Sequence, residues 1–381
     1  MRENGRRIFL SGGGTGGHLY PGLAIVEALR RLDPDVAVAL SCTRKAIDRK
    51  ILEPLGVPFT PIDARPAARQ PWKWPGLAWS LLRTSLQVRR RFREFCPDVV
   101  IGLGGYGSYT PVRVGQKTGA ATAVLNPDIV PGKANRRLAR RADRVYCQFE
   151  ETAADLGDVA RLTGCPIRPS LLGGRRDEAV AEFGLRPDLR TLLVTGASSG
   201  ARTVNRAVVA LLRERGLPDG WQVLHLTGHG EYDEVRAAYE DVKTPAVVRD
   251  YCDRMGLAYA VADAAVARAG ASSVAEVTAT ALPTVFMPYP FHRDQHQLQQ
   301  ARAVESLGAA TVVVDDPDDP GGTWRRLADA LVPLLGETSR LEAMRMCARG
   351  AGRPDAADVV ARDILALADG VIQRRHAALT A

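Results

Sequence analysis

The sequence lacks any long hydrophobic run: within its 381 residues no stretch approaches the ~20 uncharged apolar residues that cross a bilayer. Met1-Arg-Glu-Asn-Gly5 also lacks the apolar segment of a signal peptide. The expectation is a globular protein that stays in the cytoplasm. Cysteine pairs are missing as well. Cys42, Cys96, Cys147, Cys165, Cys252 and Cys347 show no CxxC spacing and read as reduced thiols. The six histidines form no HExxH pattern, so no protein-built metal site and no bound cofactor are expected. Basic helices with interleaved aromatics are absent too, so nucleic acid is not the expected partner despite a net charge of +8. That charge is uneven: residues 1–165 hold 26 Lys+Arg against 15 Asp+Glu, a net +11, and the remainder is −3. A membrane surface or a phosphate-bearing ligand suits the basic half.

What is present is enough apolar material, 46% of the chain, to fill two cores. Arg7-Ile-Phe-Leu10 is followed by a loop and then by Leu23, Ile25, Leu29 and Leu32 on a helical stripe, which makes a βα unit. Similar strands are predicted at Val36–Leu40, Val99–Leu103, Thr122–Leu125 and Arg144–Cys147. After the proline-punctuated Thr163-Gly-Cys-Pro-Ile-Arg-Pro169 the pattern restarts at Thr191–Thr195, Val223–Leu226, Ala264–Ala267 and Thr284–Met287. The fold class is α/β, with two Rossmann-like doubly wound parallel sheets facing across a cleft and ligands at the carboxyl ends of strands.

The loops at those ends hold the candidate chemistry. Gly12-Gly-Gly-Thr-Gly-Gly-His18 joins the first strand to the first helix, where backbone amides and the helix dipole suit a phosphate. It satisfies GxGxxG, but a dinucleotide site wants an acid after the second strand, and Ser41-Cys42 stands there. His18 is either a packed helix-start side chain or a general base at a loop mouth. Gly102-Leu-Gly-Gly-Tyr-Gly-Ser108 gives the same half a second amide-rich loop, and two such loops suit a diphosphate.

In the second half, Thr195-Gly-Ala-Ser-Ser-Gly-Ala201 repeats the strand-to-helix glycine turn, and Ser198 offers a hydroxyl. Glu276, in Ala269-Gly-Ala-Ser-Ser-Val-Ala-Glu276, could accept from two ribose hydroxyls, or could close a capping box with Ser273. Pro288-Tyr-Pro-Phe-His-Arg-Asp-Gln-His-Gln297 is crowded with groups that read sugar hydroxyls. Trp72, Trp74 and Trp79, beside Lys73 and Arg83 and ahead of Arg89-Arg-Arg91, suit a membrane interface or else a core helix with a basic face.

Taken in order and spacing, these motifs resemble the MurG family of peptidoglycan N-acetylglucosaminyltransferases, of GT-B fold in glycosyltransferase family 28. The resemblance rests on Gly14-Thr15 with His18, Pro21, Leu23 and Ala24, on Gly104-Gly-Tyr106, on Thr163–Arg168, on Gly196–Ala201 with Asn205, and on Ala269-Gly270 with Glu276 and Leu282-Pro283. It implies residues 1–167 as an acceptor and membrane-facing domain, with a C-terminal helix at about 352–370 packing back on it. Residues 168–351 are then the donor domain. It further implies inverting transfer of GlcNAc from UDP-GlcNAc to the 4-hydroxyl of lipid-linked muramoyl-pentapeptide, on the anionic inner face of the cell membrane.

By residue, the resemblance implies His18 as the general base with Asp128 next in line. Gly13, Gly14, Thr15, Gly16, Gly17, Gly104, Gly105, Tyr106 and Asn126 fall on the acceptor diphosphate. Ser198 falls on the donor phosphates, the backbone at Cys252 on uracil, Glu276 on ribose, and His296 and Gln297 on the sugar. Arg168, Gly200, Asn205 and Arg268 are further donor-side candidates. One departure stands out: the family's His-Glu-Gln-Asn run is Leu125-Asn-Pro-Asp128 here. That keeps open a related GT-B enzyme with another lipid acceptor, and a sugar-nucleotide-binding protein without catalysis. An NAD-dependent oxidoreductase is a third class.

Overall fold

The computed structural model describes residues 5–380 except 54–55, 67–69, 71, 73, 198–199 and 293. The chain divides into two compact units, Met1–Arg168 with Asp355–Ala381, and Pro169–Pro354.

In the first unit, β1 (Arg7–Ser11), β2 (Ala37–Cys42), β3 (Phe59–Pro61), β4 (Val99–Gly102), β5 (Ala121–Asn126), β6 (Arg144–Cys147) and β7 (Ala160–Leu162) form a parallel sheet of order β3-β2-β1-β4-β5-β6-β7. Winding reverses between β1 and β4. Alternation along β1 assigns its two faces. Ile8 and Leu10 pack on α1 (Gly16–Leu32), while Phe9 meets Phe92 of α3 (Trp74–Phe95) edge-on at 4.9 Å, with α4 (Tyr106–Thr118) and α5 (Lys133–Ala139) on that same side. The final helix, α15 (Ala356–Thr380), lays Val360, Ala361, Ile364, Ala368 and Val371 against the α1 side. Fully burying one such Val or Ile stabilises by about 1.5–3 kcal/mol, so α15 is part of this core. It runs ten residues past Gly370 and is tied to the sheet by the Tyr146 hydroxyl, which donates to Asp363 at 2.9 Å.

The second unit repeats the plan with β8 (Arg190–Thr195), β9 (Trp221–Leu226), β10 (Ala246–Arg249), β11 (Ala262–Ala267), β12 (Thr284–Phe286) and β13 (Ala310–Val312), in the order β10-β9-β8-β11-β12-β13. Its reversal lies between β8 and β11. The helices that place the site are α8 (Arg202–Glu214), α10 (Met255–Val261), α11 (Ala271–Ala279) and α12 (His296–Ser306). Val204, Val208 and Leu211 of α8 interlock with Leu327, Leu331 and Leu334 of α13 (Pro320–Gly336) over one face of the sheet.

Candidate active site

Both winding reversals open loops at strand carboxyl ends. In the first unit the loops after β1 and β4 close on His18, near the start of α1. The imidazole Nδ1 lies 3.1 Å from Thr15 Oγ1. A Cβ on Gly104 would come within 2.8 Å of the ring, and one on Gly105 within 3.2 Å; both glycines have positive φ, +101° and +71°. Only bare backbone fits against this histidine. Burial lowers the His18 pKa below its usual 6.5, against the opposing charges of Asp128 and Asp48 and a bond to the Gly13 backbone; Lys45 adds to the lowering. The ring is therefore neutral at pH 7 and able to accept a proton.

The glycine loop itself is held by groups that the sequence did not single out. Asp48, fully buried on α2 (Ala46–Leu52), accepts from Gly14 N at 2.8 Å, Thr43 N at 2.9 Å and Thr43 Oγ1 at 2.6 Å. A Cβ on Gly13 would lie 2.3 Å from this carboxylate. Lys45 Nζ donates to Gly14 O at 3.1 Å and sits 6.0 Å from the centre of the Tyr106 ring. The Gly14 N–H thus donates to a protein carboxylate. Thr15 and Gly17 are exposed, with Gly16 between them half-buried.

Asn126, too, is engaged by protein groups. At the end of β5 it is buried, its amide donating to Asp128 O at 2.7 Å and accepting from Asn135 at 2.9 Å, so it faces the protein interior. Asp128, partly exposed in the turn that follows, acts on His18 through its charge. Arg168, expected on the donor side, lies over the Tyr20 ring of α1 at 4.8 Å.

In the second unit the loop after β8 is fixed by backbone. A Cβ on Gly196 would reach 2.3 Å from Ala201 N, and one on Gly200 (φ +72°) 2.4 Å from Thr227 O. Ser198 lies outside the described residues. Glu276 is one turn inside α11, whose N-cap is Gly270, so the capping box with Ser273 does not form. Instead the Tyr259 hydroxyl donates to Glu276 Oε2 at 2.6 Å. Burial first, then Glu276, raise the Tyr259 pKa far above its usual value, so the phenol stays a donor. Tyr259, on α10, is a partner that no local motif marks.

Two donor-side expectations turn inward. Asn205 is fully buried, bonded to Thr227 O at 3.0 Å and to His225 Nε2 at 3.1 Å. Arg268 is buried and joins the loops from within: to Asp315 at 2.7 Å, Met287 O at 2.8 Å, Pro288 O at 3.1 Å and Thr203 Oγ1 at 2.6 Å, and Thr203 in turn bonds Asp315. Neither side chain offers a ligand-facing surface. His296 opens α12, its Nδ1 2.8 Å from Asp294 and its ring stacked on His292, while Gln297 accepts from Tyr289 N. Gln300 ties this helix to Ala269 O at 2.8 Å, which places α12 beside the β11 loop. Cys252, after β10, is half-buried, and burial raises its thiol pKa.

The comparisons agree with this layout. Residues 8–147 match the glycosyltransferase family 28 N-terminal domain, and residues 191–360 its C-terminal domain. A UDP-N-acetylglucosamine–N-acetylmuramyl-(pentapeptide) pyrophosphoryl-undecaprenol N-acetylglucosamine transferase of Nocardioides is 40% identical over 96% of this chain and 99% of its own. The protein of that name from Mycolicibacterium smegmatis is 35% identical over 96% and 95%. Among solved structures, Acinetobacter baumannii MurG superposes with a TM-score of 0.75 at 23% identity, covering 94% of this chain and 99% of its own. A Neisseria meningitidis UDP-GlcNAc 2-epimerase reaches 0.67 at 11%, with the same coverage. These two establish shared architecture, two Rossmann-like parallel-sheet units of the GT-B class. With relatives of this identity spanning nearly its whole length, the chain belongs to the MurG family of glycosyltransferase family 28.

Proposed function

We propose that this chain transfers N-acetylglucosamine from UDP-GlcNAc to the 4-hydroxyl of lipid-linked N-acetylmuramoyl-pentapeptide, with inversion at the transferred carbon. The observation that carries the reading is the neutral His18, seated on bare glycine backbone at the first unit's winding reversal. With Nδ1 turned to Thr15, Nε2 is the nitrogen that takes the acceptor proton. The acceptor oxygen bonds to C1 of the sugar as the bond from C1 to UDP breaks, and the electron pair leaves on the UDP oxygen. Asp128 supports the imidazolium that forms. On the donor side, Glu276 held by Tyr259 suits a ribose, and the start of α8 suits the charge of the leaving diphosphate without a proton transfer.

The site works at the inner membrane face. No helix among the described residues is long and apolar enough to cross a membrane. What supports surface attachment is the inverted burial of α3: Ser80 and Thr84 point inward, while Trp74 (58% exposed), Trp79 (62%), Leu82 and Leu86 point outward, with Trp72 (74%) just before the helix. Indole rings facing outward beside Arg83 and Arg89 match an anionic interface. Replacing Trp72, Trp74 and Trp79 together by Ser is expected to abolish sedimentation with phosphatidylglycerol vesicles at unchanged thermal stability; unchanged binding rejects the attachment.

The transfer itself is tested with radiolabelled UDP-GlcNAc and the muramoyl lipid alongside other lipid acceptors. Label is expected on the muramoyl lipid. Label only elsewhere sinks the acceptor assignment, and no label on any acceptor, with UDP still bound, favours a binding protein.

A further inference from the structure

A second feature of the first unit lies outside the groups used above. Between α4 and α5 is a cavity of about 280 Å³ lined by Tyr109, Arg113, Arg137, Arg140 and Arg141. Four guanidinium groups around one cavity repel one another, and among the described residues no ion pair involves any of them. Their neighbour Arg136 does have a carboxylate, Asp155. Three of the four, Arg137, Arg140 and Arg141, have a simple electrostatic reason to be there, since cations near the end of α5 are favoured by its dipole. Arg113 has no such reason. It comes from the middle of α4, and its guanidinium is held by Gln116 Oε1 at 2.9 Å, while Gln116 Nε2 reaches across to Leu138 O of α5 at 3.3 Å. That relay fixes the spacing of the two helices and turns Arg113 toward the basic residues opposite.

We propose that this cavity binds a multiply charged phosphate group, a diphosphate or a phosphomonoester, through the planar donor forks of Arg113, Arg137 and Arg141, with Tyr109 as an apolar wall. Guanidinium forks match phosphate oxygens two at a time, and the anion removes the mutual repulsion of the cluster. The shared chemistry has two sources, a lipid headgroup or a soluble phosphate. Packing favours the headgroup, because α4 lies between α5 and α3, and α3 carries the outward-facing tryptophans. The lipid source rests on the membrane attachment proposed above; the phosphate site does not.

The test uses the full chain with UDP in excess, so that the nucleotide site is filled, and measures the affinity of inorganic pyrophosphate. Arg137→Gln/Arg141→Gln is compared with Arg30→Gln/Arg374→Gln, which removes the same charge from exposed positions on α1 and α15, across the sheet. Pyrophosphate is expected to bind the unaltered chain, to weaken at least about tenfold in the cavity variant, and to change less than about twofold in the control. No pyrophosphate binding, or equal losses in both variants, overturns the site. Vesicles containing phosphatidic acid, whose headgroup is a phosphomonoester, then separate the sources. Competition by pyrophosphate, with weaker vesicle binding of the cavity variant, assigns the headgroup; pyrophosphate binding without either assigns a soluble phosphate. The Trp variant keeps pyrophosphate affinity even if it loses vesicles, so failure of the membrane reading and failure of the phosphate site look different.

Discussion

The loops after β1 and β8 occupy the same place in two sheets of like winding and are both rich in glycine, yet they are held in different ways. In the first, the N–H and C=O of Gly14 are answered by charged side chains, Asp48 and Lys45, and a histidine closes the loop. In the second, backbone answers backbone: Gly200 N donates to Ala197 O at 3.1 Å, and the two glycines admit no side chain because main-chain atoms stand in the way. The first loop is a setting for a titrating group, with carboxylates and an ammonium arranged about it. The second is framed by main chain at Gly196 and Gly200. Two histidines show the same contrast: His18 is the proposed base at the first loop, whereas His225 is fully buried, its pKa pushed down to about 3, and serves as an interior hydrogen-bond partner of Tyr239 and Asn205.

If the contrast is right, substitutions in the first unit should act on turnover and those in the second on donor binding. The largest effect is expected from His18→Ala, a loss of kcat on the order of 10³-fold at unchanged UDP affinity; near-normal kcat would move the base elsewhere, with Asp128 next. Gly104→Ala should displace the imidazole and lower kcat by roughly 10–100-fold, with donor KM unaffected. Its counterpart Gly200→Ala, meeting backbone, should instead raise KM for UDP-GlcNAc and lower the thermal stability. If both alanines affect the same parameter, the division of labour fails.

Asp128→Asn gives a finer reading, about tenfold in kcat. The carboxylate raises the His18 pKa, so removing it lowers that pKa further and shifts the acid limb of the kcat profile to lower pH. An unshifted limb with activity abolished would make Asp128 the base itself. The smallest effect is expected at Tyr259→Phe, where loss of the bond to Glu276 should raise donor KM a few-fold, about 1 kcal/mol, and leave kcat nearly unchanged.

Much of this architecture was legible in the residues. The nine strands read from apolar runs are present within one or two residues of their expected ends, because a strand buried on both faces must be continuously apolar. The four that were missed, β3, β7, β10 and β13, lie at sheet edges and run only three or four residues; Ala160-Arg-Leu162 has no apolar run to read. The glycine loops were legible from composition, but their allegiance was not. Asp48 reaches Gly14 across 34 positions through the placement of α2, and nothing local marks it. Asn205, in the first turn of α8, and Arg268, just after β11, show the converse, since a polar residue near a strand's carboxyl end reads the same whether it points to ligand or inward. For Glu276 the residues alone allow two roles, and the start of α11 at Ala271 removes the capping box.

The packing of α15 into the first core also bears on how the protein is made. Ribosomes deliver the strands and helices of the first unit early, but the side chains that cover α1 belong to a helix translated after all of Pro169–Pro354. At about 5–20 residues per second, that interval is on the order of ten to forty seconds. Throughout it the α1 side of the first unit lacks its α15 cover, and by the end of it the second unit has every residue of its own core. The order of synthesis is thus the reverse of the order of completion.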